Sequence, residues 1–265
     1  MPHDGSATTV PKPITTDNIQ GARKNRVQDV VSALNAHYRH HSATAVLDAA
    51  IRYQQAGKIA LVSSFGAESV VLLHLSSLVS RDIPVFFVDT GMLFTETLVY
   101  QQELAERLLL RNIRIIRASV PTLRAEDPDG LLHKHDADTC CALRKAQPLQ
   151  KALRSFDGWL TGRKRFQSGI RANLNFFEVE EFTGRIKINP LAHWSPQDIR
   201  NYMEENRLPR HPMVARGYPS IGCEPCTSRV TDGEGPRFGR WRGDEKNECG
   251  IHFGNLEMAP TGEKK

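Results

Sequence analysis

The chain has 265 residues, 40% of them apolar and 25% charged, which suffices for one α/β domain with a sizeable core and excludes disorder throughout. Its net charge of +5 suits an anionic partner, but Lys and Arg are spread without a basic block, so a small phosphorylated ligand is enough and no nucleic acid is expected. No run approaches the roughly 20 apolar residues of a membrane span, and the first residues lack the apolar stretch of a secretory signal, so a soluble, cytoplasmic protein is expected.

Residues 1–25 are rich in Pro, Thr, Gly and Asp without an apolar period and read as a mobile leader. An α/β nucleotide-binding domain is expected over 26–209. It opens with helices over Val27–Tyr38 and Ala43–Gln55, where apolar residues recur at three- and four-residue intervals. A βαβαβ alternation follows: strand Ile59–Val62, helix Glu68–Leu78, strand Val85–Val88, helix Thr95–Leu110, strand Ile113–Ile116. That order predicts a parallel sheet flanked by helices. Helix Ala142–Leu153 and strand Trp159–Thr161 extend it, and Phe176–Glu180 with Arg185–Ile188 reads as a hairpin turning at Thr183-Gly184. Ser195-Pro196 with Asp198 marks another helix start. Residues 210–265 lose the apolar period yet carry three of the five cysteines, which predicts a segment organised by ligation and by docking over the sheet.

Three turns fall at predicted strand ends, where open α/β sheets bind ligands. Ser63-Ser64-Phe65-Gly66-Ala67-Glu68-Ser69 offers backbone N–H groups and a helix dipole to an anion, although a serine-capped tight turn would look the same. It matches neither GxGxxG nor the Walker pattern. Asp89-Thr90-Gly91 is the second turn. The third, Thr161 to Arg171 with Gly162, brings four basic residues, which either face an anion or are solvated loop charge.

Five cysteines are too few and too clustered for a disulfide scaffold. Cys223-Glu224-Pro225-Cys226 has the spacing of a metal or cluster site, and its Gly- and Pro-rich setting argues against a thioredoxin-like redox pair. Cys140-Cys141 would open a helix beside Arg144 and Lys145, an electropositive place that favours thiolates; two small core residues are the alternative. Two pairs make four ligands, for zinc or for a 4Fe-4S cluster. Cys249, flanked by polar residues and Gly250, is either a nucleophile or an incidental surface thiol. Arg237 and Arg240 can grip an anion bidentately or stand solvated.

Taken together, Cys140-Cys141 with Arg144-Lys145, Gly222-Cys223-Glu224-Pro225-Cys226-Thr227, Arg237-x-x-Arg240-Trp241 and Glu248-Cys249-Gly250-Ile251-His252 resemble the assimilatory sulfonucleotide reductases. The likeness is strongest to the iron-sulfur adenylyl-sulfate reductases, and runs from about Ala60 to Phe253. Ile251 stands where Leu is usual in that family, and the order Ser63-Ser64-Phe65 differs from some members. The Ser-Gly-Gly-x-Asp-Ser loop of ATP pyrophosphatases is absent.

The resemblance implies an adenine nucleotide α-hydrolase-like fold and a 4Fe-4S cluster on Cys140, Cys141, Cys223 and Cys226, with Cys249 as nucleophile. Ser63, Ser64, Gly66, Asp89, Thr90, Gly91, Gly162 and Arg171 would border the nucleotide. Arg144, Lys145, Arg237, Arg240 and His252 would surround the phosphosulfate. The implied reaction reduces adenylyl sulfate to sulfite and AMP through a cysteine S-sulfonate, released by thioredoxin or glutaredoxin because no thiol of the chain is spare. A 3′-phosphoadenylyl-sulfate or dual-substrate reductase is the near alternative. A zinc-bearing ATP-dependent ligase or sulfur-transferase, and a nucleic-acid-binding iron-sulfur module, are the distant ones. Subunit number is left open.

Overall fold

Short β-branched and aromatic runs bounded by turns form one six-stranded sheet, and the helices between them cover both of its faces. The computed structural model describes residues 16–243 and 250–252. In chain order come α1 (Thr16–Tyr38), α2 (Ala43–Leu47), β1 (Ile59–Ser63), α3 (Ser69–Val79), β2 (Val85–Val88), α4 (Thr95–Arg107) and β3 (Ile113–Ile116). Three short helices follow, α5 (Val120–Glu126), α6 (Leu132–His135) and α7 (Ala137–Cys141), and then α8 (Gln147–Ala152) and β4 (Gly158–Leu160). The domain closes with β5 (Phe177–Val179), β6 (Ile186–Ile188) and α9 (Pro196–Glu205).

The spatial order is β3-β2-β1-β4-β6-β5, with every neighbouring pair parallel except β5 and β6, which form the antiparallel hairpin. The chain winds from β1 outward to β3, then returns to the other side of β1 as β4. The crevice at the carboxyl ends of β1 and β4 is therefore the topological switch point, the usual ligand position in such sheets.

Strand β1 is buried along its whole length and serves two cores. Ile59 and Leu61 face α3 and α4, while Ala60 and Val62 face Phe86, Leu149, Leu153 and Trp159. Ile251, far along the chain, packs against this second core. Gly158 has no room for a side chain, because a Cβ there would lie 2.6 Å from the Ile186 carbonyl oxygen of the adjacent strand.

Three expectations change. Helix α1 begins at Thr16, inside the expected leader, because no proline interrupts the stretch up to Tyr38; residues 1–15 lie outside the described residues. The Cys140-Cys141 pair ends α7 instead of opening a helix, and a π-turn over Ala142–Ala146 joins α7 to α8. The helix pattern from Ala43 likewise passes into a π-turn over Asp48–Arg52. Among the described residues, no helix is long and apolar enough to cross a membrane.

Candidate active site

The loop after β1 is held by its own hydroxyls. Ser63 Oγ accepts from the Phe65 N–H at 3.1 Å and Ser69 Oγ accepts from the Gly66 N–H at 3.0 Å. These two backbone donors, expected to face an anion, are thus already engaged. Phe65 adopts a left-handed φ of 48°, a costly conformation for a bulky residue. Its fully buried ring, edge-on to Phe87 at 5.2 Å, holds it there.

The turn after β2 faces the cysteines. Asp89 is buried and binds Arg117 at 2.6 Å while accepting the Gly91 N–H, which fixes the turn. Thr90 Oγ1 lies 3.2 Å from Cys223 Sγ, and Leu93 bridges to Cys223. From the other side Arg144 donates to the Thr90 carbonyl at 3.0 Å. Its Nε and Nη2 both bind Asp127 Oδ2, at 3.0 and 2.5 Å. Burial alone would raise the Asp127 pKa, but the Leu132 N–H and the Arg144 guanidinium together hold its carboxyl below the usual range. Arg144, expected at the phosphosulfate, makes a buried ion pair with Asp127 at the end of α5, and its bond to the Thr90 carbonyl joins the Cys140-Cys141 segment to the β2 turn.

Through Arg144 and Thr90 the segments of the two cysteine pairs are brought near each other. Cys140, Cys141 and Cys223 are buried and Cys226 half-buried, and all four are free thiols. Burial pushes the Cys140 thiol up to about 11; Arg144 opposes this, and Cys223 and Cys226 act with it, so Cys140 lies within electrostatic reach of both. Among the described residues, no three His, Cys, Asp or Glu side chains gather closely enough to hold a single metal ion as they stand. The two pairs come from segments some eighty residues apart, and four thiols are the type of donor that a thiolate-held cluster takes.

Beside them a cleft of about 1430 Å³ opens at the switch point. Ser63, Ser64, Gly66, Lys145, Gly162, Arg171, Cys223, Arg237 and Arg240 line it, whereas Asp89, Thr90, Gly91, Arg144, Cys140, Cys141 and Cys226 do not. Arg240 stacks on Trp241 with 4.4 Å from its guanidinium carbon to the ring centroid. Its Nε is buried without a hydrogen-bond partner, and it has no carboxylate partner among the described residues. Gly222 makes room for it: a Cβ there would fall 2.2 Å from Arg240 Nη2. A half-buried guanidinium without a carboxylate partner, opening on a cleft, suits an anion.

Cys249 lies outside the described residues, and for His252 only the backbone is described. The turn Gly250–His252 packs against α7 and against the π-turn that carries Lys145, and Ile251 contributes to the cleft wall. The sequence reading missed the pair of Lys164 with Glu68 inside the cleft, Nζ to Oε2 at 2.7 Å, which ties the third turn to the first. Lys164 is buried, so one of the four basic residues expected either to face an anion or to be solvated is committed to a carboxylate. Only the Glu in the first turn and the Lys in the third hinted at it, 96 residues apart.

Residues 58–229 match the family described as the phosphoadenosine phosphosulfate reductase domain. The chain is 47% identical over 225 residues to the adenosine 5′-phosphosulfate reductase of Chelativorans sp. (strain BNC1), covering 84% of this chain and 91% of that one. It is 44% identical to the protein of the same name from Mesorhizobium japonicum, over 94% of this chain and 97% of the other. Among solved structures it is similar to the phosphoadenylyl-sulfate reductase of Candida auris in a phosphate complex, with a TM-score of 0.64 and 27% identity. That match covers 76% of this chain and 96% of the other.

Proposed function

Because the chain belongs to the sulfonucleotide reductases, the family of the phosphoadenosine phosphosulfate reductase domain, we propose that it reduces adenylyl sulfate to sulfite and AMP in assimilatory sulfate reduction. The observation that carries this reading is the cleft, where Lys145, Arg237 and Arg240 stand beside Cys223 at the switch point of the sheet. The fold is that of the adenine nucleotide α-hydrolases, and Ser63, Ser64, Gly66 and Gly162 wall the part of the cleft that would take the nucleotide.

The thiolate of Cys249 attacks the sulfur of adenylyl sulfate. A sulfur–sulfur bond forms, the sulfur–oxygen bond to the phosphate breaks, and AMP leaves with the electron pair. Negative charge grows on the departing phosphate oxygen, and Lys145, Arg171, Arg237, Arg240 and His252 offset it. Support for Cys249 comes from its chain neighbours, since Gly250–His252 pack against the Lys145 turn and Ile251 lines the cleft. A dithiol of the thioredoxin or glutaredoxin class then attacks Cys249 Sγ, expels sulfite, and leaves as a disulfide after its second thiol frees Cys249. The dithiol supplies both electrons.

Cys140, Cys141, Cys223 and Cys226 would hold a 4Fe-4S cluster, which when bound supplies charge and rigidity beside the sulfate without exchanging electrons. Arg144 positions this ligand set through Asp127 and Thr90, and Asp89, Thr90 and Gly91 back Cys223 without facing the substrate. The protein acts in the cytoplasm, without membrane or nucleic acid.

The test is turnover of anaerobically purified protein with thioredoxin, supplied with adenylyl sulfate or its 3′-phosphorylated analogue. Sulfite and AMP in equal amounts from adenylyl sulfate, without ATP consumption, are expected. Preference for the analogue would replace the substrate assignment, and ATP hydrolysis would replace the reaction class.

A further inference from the structure

Away from the cleft, a second concavity of about 590 Å³ lies where the end of α1 meets the turn after β4 and the segment leading to α9. Arg39, His40, Arg165, Asn175, Phe176 and His193 line it, and no carboxylate does. Arg165 is fixed by its backbone N–H to the Ala192 carbonyl at 3.0 Å and by its Nε to the Leu174 carbonyl at 2.8 Å. Its Nη groups make no hydrogen bond among the described residues, and the Arg39 side chain has neither a hydrogen bond nor an ion pair among them. The Phe176 and His193 rings pack with centroids 4.2 Å apart and a 33° tilt, forming one wall of the pocket.

Two guanidinium groups facing one hollow repel one another unless an anion joins them. The field is felt locally: burial lowers the His193 pKa, and the nearby Arg165 and His40 lower it further. Guanidinium forks suit tetrahedral oxyanions, whose oxygens they bind in pairs. We propose that this hollow is a second anion site, separate from the reductase cleft, that takes a free tetrahedral oxyanion, sulfate or phosphate, between Arg39 and Arg165. The turn Arg165–Gln167 then serves two sites, since Phe166 and Gln167 line the cleft while Arg165 lines the hollow.

The experiment is a magnetic resonance titration of the full-length protein, following the His193 ring and the Arg165 Nε–H. Sodium sulfate and sodium phosphate are added separately, with sodium chloride at matched ionic strength as control. Saturable shifts with sulfate, phosphate or both, and none with chloride, are expected; whichever binds more tightly identifies the preferred oxyanion. Arg39→Ala and Arg165→Ala should each weaken binding about tenfold or more, the effect of losing a charge-assisted contact. Arg39 is exposed, so its variant should keep the native spectrum outside the hollow, and Arg39→Lys should recover part of the affinity. Arg240→Ala, in the cleft, should leave these shifts unchanged. Equal shifts with chloride, undiminished shifts in Arg39→Ala, or their loss in Arg240→Ala would each overturn the site.

Discussion

Replacing Asp127 by Ala removes the carboxylate paired with Arg144 among the described residues, and leaves Arg144, 7% exposed, without that counter-charge. Breaking one side of such a pair costs about 3 to 5 kcal/mol, most of it the penalty of a buried, unpaired charge. For a domain of this size each kcal/mol moves the thermal midpoint by roughly 2 to 4 °C, so Asp127→Ala should lower it by roughly 6 to 20 °C. The same change frees the Leu132 N–H and slackens the hold of Arg144 on Thr90, and through it the contact with Cys223. Thermal unfolding followed by circular dichroism measures the first effect, and iron content measures the second. Removing both partners in Asp127→Leu with Arg144→Met should restore most of the midpoint, because no charge is then stranded. A fall below about 2 °C in Asp127→Ala, or a double variant worse than the single one, would refute the role given to this pair.

Cys140→Ser, Cys141→Ser, Cys223→Ser and Cys226→Ser should each lose iron and activity, read by metal analysis and turnover, since a closed thiolate site rarely survives loss of a ligand. Lys145→Ala, Arg237→Ala and Arg240→Ala should keep their iron yet lose on the order of a hundredfold in kcat/KM, measured with adenylyl sulfate and thioredoxin. Burial pushes the His211 pKa down to about 4 from 6.5, and its Nδ1 accepts the Met213 N–H, so the native ring is neutral. Between those values the unfolded chain binds a proton that the native state refuses. Stability should therefore fall as pH drops from 6.5 towards 4, and His211→Gln should remove that part of a plot of melting temperature against pH.

The parallel sheet was legible because β1, β2 and β4 are buried on both faces and so read as short unbroken apolar runs between turns. The hairpin of β5 and β6 was legible from Thr183-Gly184. The stretch between β3 and α8 was not, because α5, α6 and α7 have seven residues or fewer and show no period. Side-chain caps hold α5 and α7 instead, with Ser119 accepting from Thr122 and Asp136 from Asp138 and Thr139. Within the site, the spacing of the cysteines and of Arg237 and Arg240 showed in the sequence, whereas the roles of Arg144 and Lys164 did not. Both carry a charge that a substrate could use, and only the fold shows Asp127 and Glu68 already holding them.

If Cys249 carries the sulfur, one measurement shows it directly. Anaerobic protein is incubated with adenylyl sulfate and no thiol, released AMP is counted, and the cysteines are mapped by mass spectrometry. About one AMP per active site and one sulfonate on Cys249 are expected, because the covalent step needs no reductant; Cys249→Ser should keep its iron and show neither. A sulfonate on another cysteine, or turnover by Cys249→Ser, would contradict the account.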